Sequence, residues 1–162
     1  MPTLYTIGFT RLTLAEFVGL LRSAQVDVVV DTRLRNTSQL AGWAKRDDLA
    51  FLLHEGFGIA YEHIPPFAPT DELLDAYRTS RDWDSYATAF RSLMIRRDVG
   101  TLGRDLFARH LAPCLLCSEP TPEHCHRRLL AEYLSEQISG VEINHLIGSH
   151  ASSKRKKQRK GL

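Results

Sequence analysis

Short apolar runs alternate along this chain with longer segments whose apolar residues recur at helical spacing. Val26 to Val30 is nearly continuous in apolar, mostly β-branched side chains, a pattern typical of a strand buried on both faces and hence of a central parallel strand. Four further runs end at glycine, proline or polar positions, as strands do. The pattern predicts five strands, at residues 4–7, 26–30, 59–64, 113–117 and 141–146.

The segments between these strands predict helices. Thr13 and Glu16 form a capping-box pattern at the start of the first helix. Further helices are predicted from residue 47 or 48 to 56, from 70 to 77, from 82 to 97 and from 102 to 111, with Gly100 as the break between the last two. Thr121 and Pro122 then predict another helix start, with Thr121 as N-cap.

Strands that alternate with helices predict an α/β protein. We expect a single domain over residues 1–150 with a mostly parallel five-stranded sheet and helices on both faces, a Rossmann-like three-layer sandwich. The two long helices between the third and fourth strands form a cover over the carboxyl ends of the strands. Residues 151–162 are predicted to be a basic, disordered tail.

Charge separates the tail from the domain. Residues 154–160 carry six of the 21 basic side chains, which leaves 15 against 19 acidic ones, a net charge of −4, elsewhere. The domain surface as a whole is therefore not built for a polyanion, whereas the tail is. No apolar run reaches the roughly 18 residues of a membrane span, so we expect no membrane partner and a cytoplasmic protein. Three cysteines without an export signal indicate thiols.

The candidate catalytic and ligand-binding residues lie mainly at the ends of the predicted strands. Gly8, Asp31 and Cys117 end three of them, and the carboxyl ends of parallel strands form the crevice in which such folds bind ligands. We predict an enzymatic pocket there for a phosphate-bearing ligand, a nucleotide or nucleic acid. Its predicted catalytic residues are Cys125 as nucleophile, Glu119 or Asp31 as general acid or base, and His126 as proton shuttle; its predicted ligand-binding residues are Gly8, Arg33, Cys117 and Arg127.

Two other functions fit parts of the sequence. Cys114, Cys117, Cys125 and His126 superficially resemble a zinc site, but residues three apart in a strand point to opposite faces, so we predict no metal there and no cofactor. A non-catalytic role in nucleic-acid binding would use the basic tail, whose six charges favour salt-sensitive contacts with phosphates.

Several segments together resemble a known family. They are YTIG near the start, VDTR after the second strand, NTSQLAGWAKRDDL, YEHIPPFAPTDELLDAY and CSEPTPEHCHRRLLAEYL. The chain is similar over Leu4 to Leu146 to the domain of unknown function 488 family, with its Cys-x-Glu and Cys-His-Arg signature. The resemblance implies a compact α/β sandwich and no established activity. Many members have His where this chain has Phe9, so no role for that imidazole is carried over.

Overall fold

The structure, a computed structural model, describes residues 1–37 and 41–149. The predicted tail at residues 151–162 lies outside the described residues. So do Ser38 and Gln39 of the loop after the second strand. Within the described ranges, no helix has the length and apolar character needed to cross a membrane.

In the described part of the chain, five strands form one sheet, as the sequence predicts, and this sheet is fully rather than mostly parallel. They are β1 (Thr3–Gly8), β2 (Val28–Asp31), β3 (Ala60–His63), β4 (Pro113–Cys117) and β5 (Glu142–Leu146). Their order across the sheet is β3-β2-β4-β1-β5, and every neighbouring pair is parallel. Strand β4 lies at the centre, which explains why all five of its residues are buried.

Among residues 1–37 and 41–149, six α-helices cover the two faces of the sheet. They are α1 (Leu14–Ser23), α2 (Arg46–Phe51, continued by a π-helical turn at Leu52–Gly56), α3 (Asp71–Ser80), α4 (Trp83–Arg96), α5 (Val99–Arg109) and α6 (His126–Gln137). The chain moves toward one edge from β1 to β3 and then returns. Because crossovers between parallel strands are right-handed, this reversal puts α1 and α2 on one face and α3 to α6 on the other.

Two hydrophobic cores follow from this arrangement. On one face, Phe17 and Leu21 of α1 and Leu49 at α2 pack against the sheet. On the other face, Phe90 of α4 and Leu130 of α6 belong to the second core. Alternation along β4 sends Cys114 and Leu116 into the first core and Leu115 into the second. Cys114 and Cys117 therefore point to opposite faces, as expected.

The break between the fourth and fifth helices is not where the sequence predicts it. Gly100 lies inside α5, and the chain turns instead at Asp98, which adopts a left-handed conformation with φ of 52°. The absent side chain of Gly100 has a packing role, because a Cβ there would lie 3.3 Å from Gln137 of α6. Gly103 allows the same close packing of α5 against α6, because a Cβ there would lie 2.4 Å from the side chain of Leu134.

The predicted start of α6 is also wrong. The helix begins at His126 rather than after Thr121, and residues 121–124 form turns. The backbone N–H of Cys125 closes such a turn by donating to the Pro122 carbonyl at 3.2 Å. Cys125 becomes the N-cap in an extended conformation. As a result its thiol lies on the approach to the helix and not within the first turn.

Candidate active site at the carboxyl ends of the strands

The ends of β2, β4 and β1 bring the predicted polar residues to one edge of the sheet. Gly8 is paired with Cys117 in register, and Asp31 is paired with Leu116. The loops that follow these strands therefore begin side by side. This is the crevice that the sequence predicts, and it holds two separate networks of buried polar groups.

The first network is a buried ion pair. Asp31 is fully buried and Arg33 is 4% exposed. The guanidinium donates from Nε to Oδ1 at 2.9 Å and from Nη2 to Oδ2 at 2.8 Å. The Arg33 backbone N–H, the Asn36 side-chain amide and the Tyr61 hydroxyl also donate to the same carboxylate. Asp31 is thus saturated with donors, an arrangement that holds Arg33 in place.

Electrostatics agree with this view of Asp31. Burial raises the pKa of the Asp31 carboxyl, but the hydrogen bonds and positive charge of Arg33, with the Tyr61 hydroxyl, outweigh burial and hold the pKa below its ordinary value. Asp31 therefore stays ionised at neutral pH. Burial, together with the hydrogen bond to Asp31, raises the pKa of Tyr61, so this phenol stays protonated and continues to donate.

Arg33 keeps one donor group unused. Its Nη1 is buried and has no hydrogen-bond partner among the described residues. The guanidinium also lies over the Phe9 ring, with its carbon 5.2 Å from the ring centroid. Because an unpaired buried donor is costly, this position favours an additional acceptor, such as an oxygen of a ligand.

The second network centres on Cys117 and His126. The Cys117 sulfur lies 3.7 Å from Nδ1 of His126. On the other side of the ring, Nε2 lies 2.8 Å from the Thr32 carbonyl oxygen. A carbonyl only accepts, so Nε2 carries a proton and the neutral ring presents the Nδ1 lone pair to the thiol. Thr32 is itself fixed, since its hydroxyl donates to the Leu116 carbonyl at 2.8 Å.

This arrangement separates the two pocket thiols chemically. A hydrogen bond from Cys125 lowers the pKa of Cys117 well below the ordinary thiol value; burial opposes this effect, while the charge of His126 and the Glu119 backbone N–H assist it. Burial, with the adjacent Cys117 sulfur, raises the pKa of Cys125 well above the ordinary value. Cys117 is therefore the thiol that ionises, because it is the one in contact with Nδ1 of His126.

The partner of this thiolate responds in the complementary direction. Burial lowers the pKa of His126. The negative charge of Cys117 and its hydrogen bond to the ring raise this pKa by more than burial lowers it, so the net shift is upward. The downward shift at Cys117 and the upward shift at His126 both favour transfer of the thiol proton to the imidazole. A thiolate–imidazolium pair is the activated form of a cysteine nucleophile.

A cavity of about 360 Å³ opens beside this pair. Its walls come from the loop after β2, from α3 and α4, and from the β4–α6 connection. Arg33, Arg35 and Arg78 line it together with one acidic residue, Glu119. An aromatic cluster in which Trp83 stacks on Tyr86 forms the wall contributed by α4. The sequence predicts that the two long helices between β3 and β4 cover this crevice. The cavity is instead lined by the shorter α3 and by α4, and α5 contributes none of its lining residues.

The family model described as "Domain of unknown function DUF488" matches residues 13–134, which include both networks. The chain belongs to the DUF488 family. No curated protein and no solved structure matches it significantly. The family name carries no activity, so the chemistry of this DUF488 protein has to be argued from the pocket itself.

Five of the eight predicted site residues line the cavity of this DUF488 chain: Arg33, Cys117, Glu119, Cys125 and His126. Gly8, Asp31 and Arg127 are not among its lining residues. Asp31 lies behind Arg33 and contacts it directly. The structure therefore divides the predicted set into residues that line the cavity and residues that lie behind them.

Gly8 and Arg127 support the β4–α6 loop. Arg127 is fully buried and donates from Nη1 to the Glu119 carbonyl at 2.7 Å and from Nε to the Thr6 hydroxyl at 3.3 Å. A Cβ at Gly8 would lie 1.6 Å from the same carbonyl oxygen. Glycine is thus required at the end of β1 because the loop backbone passes directly over it.

Three donor atoms of the DUF488 pocket lie close enough to hold a metal ion. The sulfurs of Cys117 and Cys125 and a ring nitrogen of His126 are within 4.8 Å of one another. Cys114, which the zinc-like sequence pattern includes, is excluded by its place in the opposite core. Burial raises the pKa of the Cys114 thiol, so this residue is an inert core side chain.

Thr32, Asn36 and Tyr61 also belong to the site, although the sequence indicates no individual role for any of them. Thr32 fixes the ring of His126, and the other two residues complete the shell around Asp31. Tyr61 and Asp31 belong to strands that are neighbours in the sheet, an order that an alternating strand pattern does not reveal. Thr32 carried one signal, since it directly follows the strand-end residue Asp31.

Proposed function

We propose that this DUF488 protein is an enzyme that attacks a phosphate-bearing ligand, a nucleotide or nucleic acid, with the thiolate of Cys117. The observation that carries the proposal is the contact between the Cys117 sulfur and Nδ1 of His126, with the opposite ring nitrogen held by Thr32. A nucleophile, a base and a group that orients the base are the three parts of nucleophilic catalysis. A reducing compartment such as the cytoplasm is the environment we propose for it.

The proposed chemistry assigns a separate role to each neighbour of Cys117. The thiolate forms a bond to an electrophilic atom beside the anionic group of the ligand. The imidazolium of His126 gives its Nδ1 proton to the group that leaves. Cys125 hydrogen-bonds to the Cys117 sulfur, and Glu119 at the pocket wall is the carboxylate available for a further proton transfer.

The proposed ligand class rests on Arg33 and on the charge of the cavity. Arg33 Nη1 is a buried donor without an acceptor among the described residues, and a phosphate oxygen would supply one. Arg35 and Arg78 add positive charge to the same walls. They pair with Asp71 and Asp75 respectively at exposed positions, where ion pairs contribute little to stability.

Protection of Cys117 from alkylation tests this proposal. We expect inorganic phosphate, adenosine monophosphate or a short 5′-phosphorylated oligonucleotide to slow the reaction of Cys117 with iodoacetamide in the native protein. At a concentration of about ten times its Kd, a ligand that fills the pocket should lower the rate about tenfold, because only the free site reacts. Mass spectrometry of the modified residue measures the rate.

Two variants and one truncation make this test specific. Arg33→Lys should weaken protection because it removes the donor fork. Arg91→Lys, in an exposed pair with Glu136 outside the cavity lining, should leave protection unchanged. A chain ending at Ala151 should also show full protection of Cys117. Loss of protection on truncation would instead favour the alternative function, nucleic-acid binding by the basic tail. Equal protection by unphosphorylated adenosine would contradict the proposed ligand class.

A further inference from the structure

Cys125 is a second thiol in the same pocket, and the proposed attack does not consume it. Its sulfur, the Cys117 sulfur and a nitrogen of His126 all lie within 4.8 Å of one another. Cys125 is the extended N-cap of α6, and Cys117 is the last residue of β4. Neither is held within the interior of a helix or strand, so a small movement would bring the two sulfurs into bonding range.

We infer that Cys117 and Cys125 form a reversible intramolecular disulfide when a peroxide oxidises the pocket. The inference rests on the proposed function, because it uses Cys117 as the reactive thiolate. A reactive thiol within a few ångströms of a resolving cysteine is the arrangement found in redox-responsive sites. The disulfide would remove the nucleophile and its hydrogen-bond donor together, so oxidation would switch the proposed activity off.

The chemistry takes two steps. The Cys117 thiolate attacks one oxygen of hydrogen peroxide and breaks the O–O bond, which gives a sulfenic acid on Cys117 and releases hydroxide. The Cys125 sulfur then attacks the Cys117 sulfur and displaces the sulfenic oxygen. Protons from the Cys125 thiol and from solvent convert both displaced oxygens to water. The protein loses two electrons and two thiol hydrogens, and the peroxide is reduced to two waters.

Two features of the pocket favour the disulfide over further oxidation of Cys117: access of peroxide through the cavity and the distance of Cys114 from the pocket. Cys117 is 5% and Cys125 2% exposed, and both line the cavity, so hydrogen peroxide reaches them through it. Cys114 lies on the other face of the sheet and cannot take part. Cys125 is therefore the cysteine in position to intercept the sulfenic acid before a second peroxide oxidises it further.

Peroxide oxidation of the full chain, after chelator treatment, tests the inference. We expect the mass to fall by two hydrogens and fast alkylation of Cys117 to be lost, and dithiothreitol should restore both. All three cysteines lie between Arg109 and Arg127, so tryptic cleavage does not separate them. Cleavage after Glu123 separates Cys125 from the other two cysteines. In Cys114→Ala, this cleavage should yield two peptides joined by the Cys117–Cys125 bond.

Cys125→Ser is the variant that separates failure of this inference from failure of the proposed function. In this variant peroxide should leave a sulfenic acid on Cys117 that dimedone traps, followed by sulfinic acid. If the unmodified chain also gives only sulfenic or sulfinic acid, Cys117 is reactive but the disulfide inference is overturned. If Cys117 is oxidised in neither protein, it is not a reactive thiolate, and both proposals fail.

Discussion

Replacing Cys117 with Ser will remove the fast-reacting thiol of the native protein. We expect the rate of alkylation by iodoacetamide at pH 7 to fall at least about a hundredfold. The reason is that the remaining thiols, Cys114 and Cys125, both have raised pKa values. A thiol with a pKa above 9 is less than about 1% ionised at pH 7, and only the thiolate reacts. Intact-protein mass spectrometry over time measures this rate.

The other two cysteines provide the controls. Cys114→Ala should keep the fast reaction, because Cys114 lies in the opposite core. Cys125→Ser should keep it too, with its pH midpoint moved, since the donor to the Cys117 sulfur changes from a thiol to a hydroxyl. Fast labelling that survives in Cys117→Ser and is lost in Cys125→Ser would instead make Cys125 the nucleophile.

Asp31→Asn should cause the largest loss of stability among single substitutions at the site. The change leaves the buried Arg33 guanidinium without a counter-charge, although the shape of the side chain is kept. Breaking a buried pair in this way typically costs about 3–5 kcal/mol in the free energy of unfolding. Urea denaturation monitored by circular dichroism measures the difference from the unmodified protein.

The pH dependence of this difference is a second readout. The pKa of Asp31 is lowered in the folded protein, so its stabilisation is fully present above the ordinary carboxyl pKa. It is lost as the pH falls through the lowered value, and the two proteins should therefore converge in acid. Asp71→Asn, in the exposed pair with Arg35, is the matched control and should change stability little. A similarly small effect of Asp31→Asn would contradict the assigned role.

The sheet could be predicted because each of its strands carries a local signal. Proline bounds the Pro113–Cys117 run on its amino side, and β-branched residues fill Val28–Val30. The predicted helix boundaries were wrong where the local composition favoured one structure and the observed hydrogen bonds and packing favoured another. Thr121 and Pro122 have the composition of a helix start, yet the Cys125 N–H bonds to the Pro122 carbonyl and closes a turn instead. Contacts between elements decide such cases, as with Gly100 against Gln137.

The location of the site could be predicted from the sequence more readily than the roles of its residues. Parallel strands bring the polar residues at their carboxyl ends to one edge of the sheet, so the sequence predicts that Asp31, Arg33 and Cys117 lie near each other there. Their roles depend on partners from distant parts of the chain. Tyr61 saturates Asp31, and Thr32 fixes the ring of His126 from 94 residues away. The choice between Cys117 and Cys125 depends on which sulfur faces Nδ1, and spacing along the sequence does not contain that information.

The rate of alkylation of Cys117 as a function of pH tests the central claim most directly. In the zinc-free protein, a thiolate paired with the His126 imidazolium predicts a rate that is constant through neutral pH and falls only in acid, as the thiolate is protonated below its lowered pKa. The midpoint should lie well below the free-thiol value of about 8.5. A rate that rises only near that value, a rate limited by unfolding, or one tightly bound zinc per chain would contradict the account.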